Sequence, residues 1–147
     1  MSDRMTAGGL CNRMVVCAER STGVVQAAQR MRDGHVGCLV VVDETGAGRL
    51  AVGILTDRDI VLEVVAKEVD PAGLTVEDVM SGGLVTALEQ DSAMTLLQTM
   101  RRKGLRRLPV TTPEGVLVGI VTLDDLLAVT SEQLRAVALA IEAEQLR

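Results

Sequence analysis

Two short segments carry the residues best suited to chemistry: GILTDRD, Gly53 to Asp59, and GIVTLDD, Gly119 to Asp125, which share the pattern G-I-x-T-x-x-D. Each stands where an apolar run gives way to a helix-forming stretch. A threonine at a helix N-cap, Thr56 or Thr122, sets a hydroxyl beside unpaired backbone N–H groups and the positive end of the helix dipole. That arrangement suits a phosphate oxygen. Asp59 or Asp125, one helical turn on, offers two acceptor oxygens for the hydroxyls of a ribose. Gly53 and Gly119 permit close backbone approach. The same T-x-x-D spacing is also that of a capping box, which stabilises a helix start by about 0.5–2 kcal/mol with no ligand involved. Capping and binding can coexist, and recurrence of the pattern with the same Gly-Ile favours a ligand site.

The elements that must position these residues recur as well. Sliding the chain so that Met14 falls on Leu84 brings Gly34 onto Gly104. In each copy a short apolar strand, Met14 to Cys17 or Leu84 to Ala87, leads to a cap candidate, Ser21 or Asp91, and then a helix. Its apolar face is Val24, Ala27, Ala28 and Met31 in one copy and Ala93, Met94, Leu97 and Met100 in the other. Two β-branched runs follow and read as hairpins: Cys38 to Val42 with Leu50 to Leu55, and Leu108 to Thr111 with Val116 to Val121. Each copy closes with a helix, Arg58 to about Val69 or Asp124 to about Val129. The fold class is therefore α+β, two tandem β-α-β-β-α repeats at residues 8–70 and 75–130.

Composition bounds what such a site can be. The 147 residues include no Phe, Trp or Tyr, so aliphatic side chains supply the core and no aromatic platform exists for stacking a base. With a net charge of −5 as well, a nucleic-acid partner is not expected. Long apolar runs and a signal-like N-terminus are absent, so the expectation is a cytoplasmic protein with no membrane partner. Cys11, Cys17 and Cys38 are odd in number and form no CxxC pair, which fits buried free thiols. His35 with Cys38 and either other cysteine matches no standard metal spacing, so no metal is expected. No P-loop, metal-binding carboxylate cluster or nucleophile paired with a base is present, and the chain is read as no enzyme and as needing no cofactor.

On these residues the chain resembles the CBS domain family, named after cystathionine β-synthase, whose repeats end in G-h-x-[ST]-x-x-[DN] and usually occur in pairs. The resemblance covers roughly residues 8–130. It implies two repeats packed about a pseudo-twofold axis, with two clefts for AMP, ADP, ATP, S-adenosylmethionine or related ligands. Thr56 and Thr122 would then contact phosphate and Asp59 and Asp125 the ribose, with Ile54, Ile120, Val15 and Val85 as apolar walls around adenine. Arg106 and Arg107 precede the strand LPV, where related pairs often place basic residues near phosphates; the first repeat has Val36 and Gly37 there and lacks the counterpart of Pro109. The cleft using these arginines should be the better nucleotide site. The alternative is that with Arg101, Arg102 and Lys103 they form a solvated basic face.

The remaining segment, residues 131–147, has Ser131 as a possible cap and an apolar stripe of Leu134, Val137, Ala138, Ile141 and Leu146. It reads as a C-terminal amphipathic helix that folds back on its own core or pairs with a partner helix. Paired CBS modules commonly form disc-like dimers, so a homodimer is the first expectation. The opening MSDRMTAGG reads as flexible. Together these features imply a regulatory module that senses an adenine nucleotide and signals through a separate regulated protein or through self-association. The alternative is a structural interaction module whose clefts stay empty.

Overall fold

The computed structural model describes residues 5–146. It begins with a short helix, α1 (Ala7–Leu10), followed by β1 (Cys17–Ala18), α2 (Val24–Gly34), β2 (Cys38–Thr45), β3 (Gly48–Thr56) and α3 (Asp57–Ile60). Helix α3 continues into a π-helical turn, Val61–Val65. After the short α4 (Val76–Val79) the pattern returns as β4 (Ala87–Leu88), α5 (Ala93–Lys103), β5 (Arg107–Thr111), β6 (Leu117–Thr122) and α6 (Leu123–Gln145). Each repeat has one three-stranded sheet, ordered β1-β2-β3 and β4-β5-β6, with the first pair parallel and the second antiparallel. This is the expected α+β architecture of two tandem repeats with a C-terminal helix.

The register differs by one residue from the alignment of Gly34 with Gly104. Thr56 lies opposite Cys38, and Thr122 lies opposite Arg107. Helix α2 stops at His35 and α5 at Gly104, both left-handed, with φ of 53° and 66°. The counterparts are therefore His35 with Gly104, and Cys38, not Gly37, with Arg107. The glycine match misleads because histidine tolerates the left-handed conformation better than most side chains, leaving Gly34 inside the helix. Capping also differs: the N-caps are Gly23 and Ser92, not Ser21 and Asp91. In α5 the buried residues are Leu96 and Met100, while Met94 is 62% exposed; Ala28 of α2 is exposed too. The opening strands are shorter than expected, since Met14–Val16 and Leu84–Thr86 are not paired as strands.

The two cores are built across each other. The first gathers Ala18, Val24, Ala27, Met31, Leu39, Val41 and Leu55, and is completed by Val76 and Val79 of α4. The second gathers Ala87, Leu96, Met100, Leu108, Val110 and Val121, and is completed by Ala7 of α1. Backbone bonds fix both crossings: Ala7 N–H to Asp91 O (2.8 Å) and Val76 N–H to Thr22 O (2.8 Å). Of the opening residues expected to be flexible, 1–4 lie outside the described residues, whereas Ala7 is fully buried. Leu50 and Val116, which are counterparts, bridge each other, so the pseudo-twofold axis passes between the hairpins there.

Helix α6 runs for 23 residues without interruption. Ser131 therefore lies inside a helix and caps nothing. Residues 131–146 are all exposed, so the tail extends away from its own core and does not fold back on it. No helix among the described residues is long and apolar enough to cross a membrane.

Candidate functional site

Both signature segments form complete capping boxes, as does the third T-x-x-D run, Thr75 to Asp78 at the start of α4. Thr56 Oγ1 accepts from the Asp59 N–H (3.0 Å) and Asp59 Oδ2 from the Thr56 N–H (2.9 Å). The corresponding distances at Thr122 and Asp125 are 3.1 and 2.8 Å. Each signature threonine hydroxyl keeps its own proton for a further acceptor.

Beside each signature threonine is a cleft. The first, about 360 Å³, combines Ile54 and Thr56 of β3 with the Ser81–Val85 segment, Lys103 and Leu105 at the end of α5, and Arg107 and Pro109 of β5. The second, about 240 Å³, combines Ile120, Thr122 and Asp125 with Asn12, Met14–Val16, Val36, Cys38 and Arg107. Each cleft thus joins the capping threonine of one repeat to the segment before the first strand, and the first edge of the hairpin, of the other. Thr56, Ile54, Val85 and Arg107 come together in the first cleft, and Thr122, Asp125, Ile120, Val15 and Arg107 in the second.

Two expected site residues are placed elsewhere. Arg106 lines neither cleft; it is exposed and faces Asp124 at 3.8 Å. Asp59 does not line its cleft, and both its oxygens are engaged, because Oδ1 accepts from the Ser81 hydroxyl (3.0 Å). Asn12, the counterpart of Ser81, instead turns its Oδ1 to the Met14 N–H (2.9 Å). Asp125 Oδ1 accordingly accepts no hydrogen bond among the described residues.

The motif glycines serve the chain itself. A Cβ on Gly119 would lie 2.7 Å from Asn12 O and from Cys11 Sγ, and one on Gly53 2.8 Å from Met80 Sδ. Close approach is required by the segments that cross between the repeats: Asn12 and Ile120 exchange backbone bonds of 2.8 and 3.0 Å. The close approach that these glycines permit is thus that of the chain's own crossing segments.

Charge separates the clefts. The first is lined by two cations, Lys103 and Arg107, with Asp59 bonded behind it to Thr56 and Ser81, and the second sets Arg107 against Asp125. Burial pushes the Cys38 thiol above its usual range, while neighbouring Arg107 pulls it back down. Burial likewise raises Cys11 and Cys17. A larger depression, about 560 Å³, lies on the outer surface between α2 and α3, but neither capping threonine reaches it.

Ser81, Asn12, Lys103 and Cys38 were not among the expected site residues. The repeat itself held the signal for Asn12 and Ser81, which occupy the same position ahead of the two clefts. Lys103 was visible only as part of the basic run RRKGLRR.

The CBS domain model matches this chain twice, at residues 7–66 and 76–132. The chain belongs to the CBS domain family. This CBS pair is similar to the uncharacterized protein MK0525 of Methanopyrus kandleri, 33% identical over 125 residues, 85% of this chain but 62% of that protein's length. It is also similar to Hypoxic response protein 1 of Mycobacterium tuberculosis, 34% identical over 121 residues and 82% of each chain. A crystal structure of Hypoxic Response Protein I with two coordinated zinc ions superposes with a TM-score of 0.74 at 30% identity, covering 87% of this chain and 98% of that one. The CBS domain pair of protein MJ0100, in complex with 5′-methylthioadenosine and S-adenosyl-L-methionine, shares the fold at a TM-score of 0.76 and 23% identity, covering 87% and 97%.

The residues of this chain do not fit a comparable zinc centre. Among the described residues no group of three or more His, Cys, Asp or Glu converges. The three thiols have separate surroundings: Cys11 against Gly119, Cys17 beside Arg49 at 3.4 Å, and Cys38 beside Arg107.

Proposed function

We propose that this CBS pair is a non-catalytic regulatory module that binds an adenine nucleotide, AMP, ADP or ATP, or a related adenosyl ligand such as S-adenosylmethionine. The observation that carries this reading is the first cleft, where a capping threonine, an aliphatic wall of Ile54 and Val85, and the cations Lys103 and Arg107 share one concavity. Thr56 and the cations suit phosphate oxygens, and the aliphatic wall suits a purine face in a protein without aromatic rings. In the second cleft the open carboxylate oxygen of Asp125 suits ribose hydroxyls. The adenosyl ligands of the MJ0100 pair support the same ligand class.

Thermal unfolding with added ligand tests the reading. A ligand at 100 times its Kd adds about 2.7 kcal/mol to stability. A rise in Tm with at least one adenosyl ligand is expected, whereas no shift with any of them contradicts it. Incubation with ATP should yield no turnover, because neither cleft pairs a nucleophile with a base.

One observation favours the second reading, a structural module with empty clefts. Asp59 is satisfied by Thr56 and Ser81 without any ligand, so the first capping box is complete in itself.

Self-association through α6 completes the proposal. Leu127, Leu134 and Ile141, spaced by seven residues, are 62%, 67% and 53% exposed. The small residues Ser131 and Ala138 lie between them, a large-and-small alternation that lets two helices approach closely. Arg135 and Glu142 share one flank of this stripe. In an antiparallel pair of copies identical flanks meet, so each Arg135 faces the other copy's Glu142. The occupant of this face is thus a second copy, giving a homodimer whose packing a ligand can bias and a separate regulated protein can read. The three free thiols suit the reducing cytoplasm.

A further inference from the structure

The pseudo-twofold symmetry fails at one decisive position. Arg107 and Cys38 are counterparts, each opposite a capping threonine, and they lie in contact where the two clefts meet. Arg107 lines both clefts, so one guanidinium stands where a symmetric pair would supply two. The surroundings of that guanidinium are unequal. The first cleft adds Lys103, whose counterpart, Gly34, has no side chain, and the Asp59 carboxylate behind it is bonded at both oxygens by Thr56 and Ser81; the second adds no further cation and exposes Oδ1 of Asp125, which opposes an anion.

We propose that Arg107 is a specificity-determining residue that makes the two clefts unlike and prevents both from holding a phosphate-bearing ligand at once. The Thr56 cleft takes the phosphate-bearing adenosyl ligand, held by Arg107 and Lys103. The Thr122 cleft takes an adenosyl ligand without phosphate, its ribose held by Asp125. A guanidinium drawn to a phosphate in the first cleft is lost to the second, so the module holds one anionic ligand per chain. This inference rests on the proposed adenosyl binding.

The argument is electrostatic. A guanidinium grips phosphate by paired, charge-assisted hydrogen bonds, and a thiol in the corresponding position cannot replace them. A carboxylate close to a phosphate costs affinity through like-charge repulsion, and the low dielectric of a cleft strengthens the effect.

Equilibrium dialysis of the full chain with AMP and, separately, adenosine tests this proposal. Wild type is expected to bind a single AMP tightly and to accept adenosine beside it. Arg107→Ala should weaken AMP about ten- to a hundredfold, the loss of a charged hydrogen-bonded pair, and weaken adenosine, which carries no phosphate, by much less. Cys38→Arg should restore the missing cation and raise AMP stoichiometry from one to two. Two equal AMP sites in wild type would overturn the proposal, as would equal losses of AMP and adenosine in Arg107→Ala. Binding of neither ligand, nor of ADP, ATP or S-adenosylmethionine, by wild type would overturn the adenosyl reading itself, an outcome distinct from both.

Discussion

The carbonyl oxygen of Asn12 stands 2.7 Å from the point that a Cβ on Gly119 would occupy, so the second signature glycine is held by the chain that crosses it. Gly119→Ala must displace backbone, and overpacking of this kind costs about 1–3 kcal/mol. At Gly53 the obstructing atom is Met80 Sδ, which sits on a flexible side chain and can move. Gly119→Ala is therefore expected to lower Tm by more than Gly53→Ala. Far-ultraviolet circular dichroism measures this, since no aromatic fluorophore is present. Equal effects would contradict the account of the crossing.

Because α1 completes the second core and α4 the first, the repeats should unfold as one unit. Leu39 and Leu108 are fully buried counterparts in the two cores. Truncating either to alanine costs about 2–5 kcal/mol. Each variant should keep a single cooperative transition at lower denaturant. Two separated transitions would show that the crossings contribute little.

The repeat, the strand-to-helix turns and the class of fold were legible because hydrophobic periodicity and T-x-x-D capping are local features. The register was not. It depended on whether a glycine or a histidine took the left-handed residue at the end of α2, and His35 does so. The shared position of Arg107 was hidden for a different reason. Arg106 and Arg107 are equivalent as a sequence pair, and only the start of β5 at Arg107 separates them: Arg107 lines the clefts, and Arg106, just before the strand, faces Asp124. The role of Gly53 and Gly119 was obscured because the segments they face are distant in sequence.

Cys38 gives a pH dependence with a defined sign. Its folded-state pKa lies above the ordinary value of 9.0, chiefly through burial, with Arg107 acting in the opposite direction. The contribution is fully present below the unfolded-state value and is lost as pH rises from there through the folded-state value. Stability should thus fall on the alkaline side of pH 9, and Cys38→Ser should flatten that fall in pH-dependent denaturant melts. Arg107→Ala should raise the thiol further and slow its alkylation by iodoacetamide, followed by peptide mass spectrometry; faster alkylation at matched exposure would refute the contact.

Thr56→Val removes both the cap of α3 and the hydroxyl that faces the first cleft. Loss of the cap alone costs about 0.5–2 kcal/mol. If the cleft binds phosphate, AMP affinity falls in addition, and Thr122→Val leaves it largely intact. Equal effects of the two substitutions on AMP affinity would argue against the assignment of phosphate to the Thr56 cleft.

The central claim, that the clefts hold an adenosyl ligand, is tested most directly by absorbance. Without Phe, Trp or Tyr the protein is nearly transparent between about 260 and 280 nm, so bound adenine dominates the spectrum. The protein equilibrated with AMP, ADP, ATP or S-adenosylmethionine and passed through gel filtration should carry a 260 nm band that denaturation releases. A flat spectrum with every ligand, together with no retention of any of them in equilibrium dialysis, would contradict the account and leave the CBS pair as a structural module.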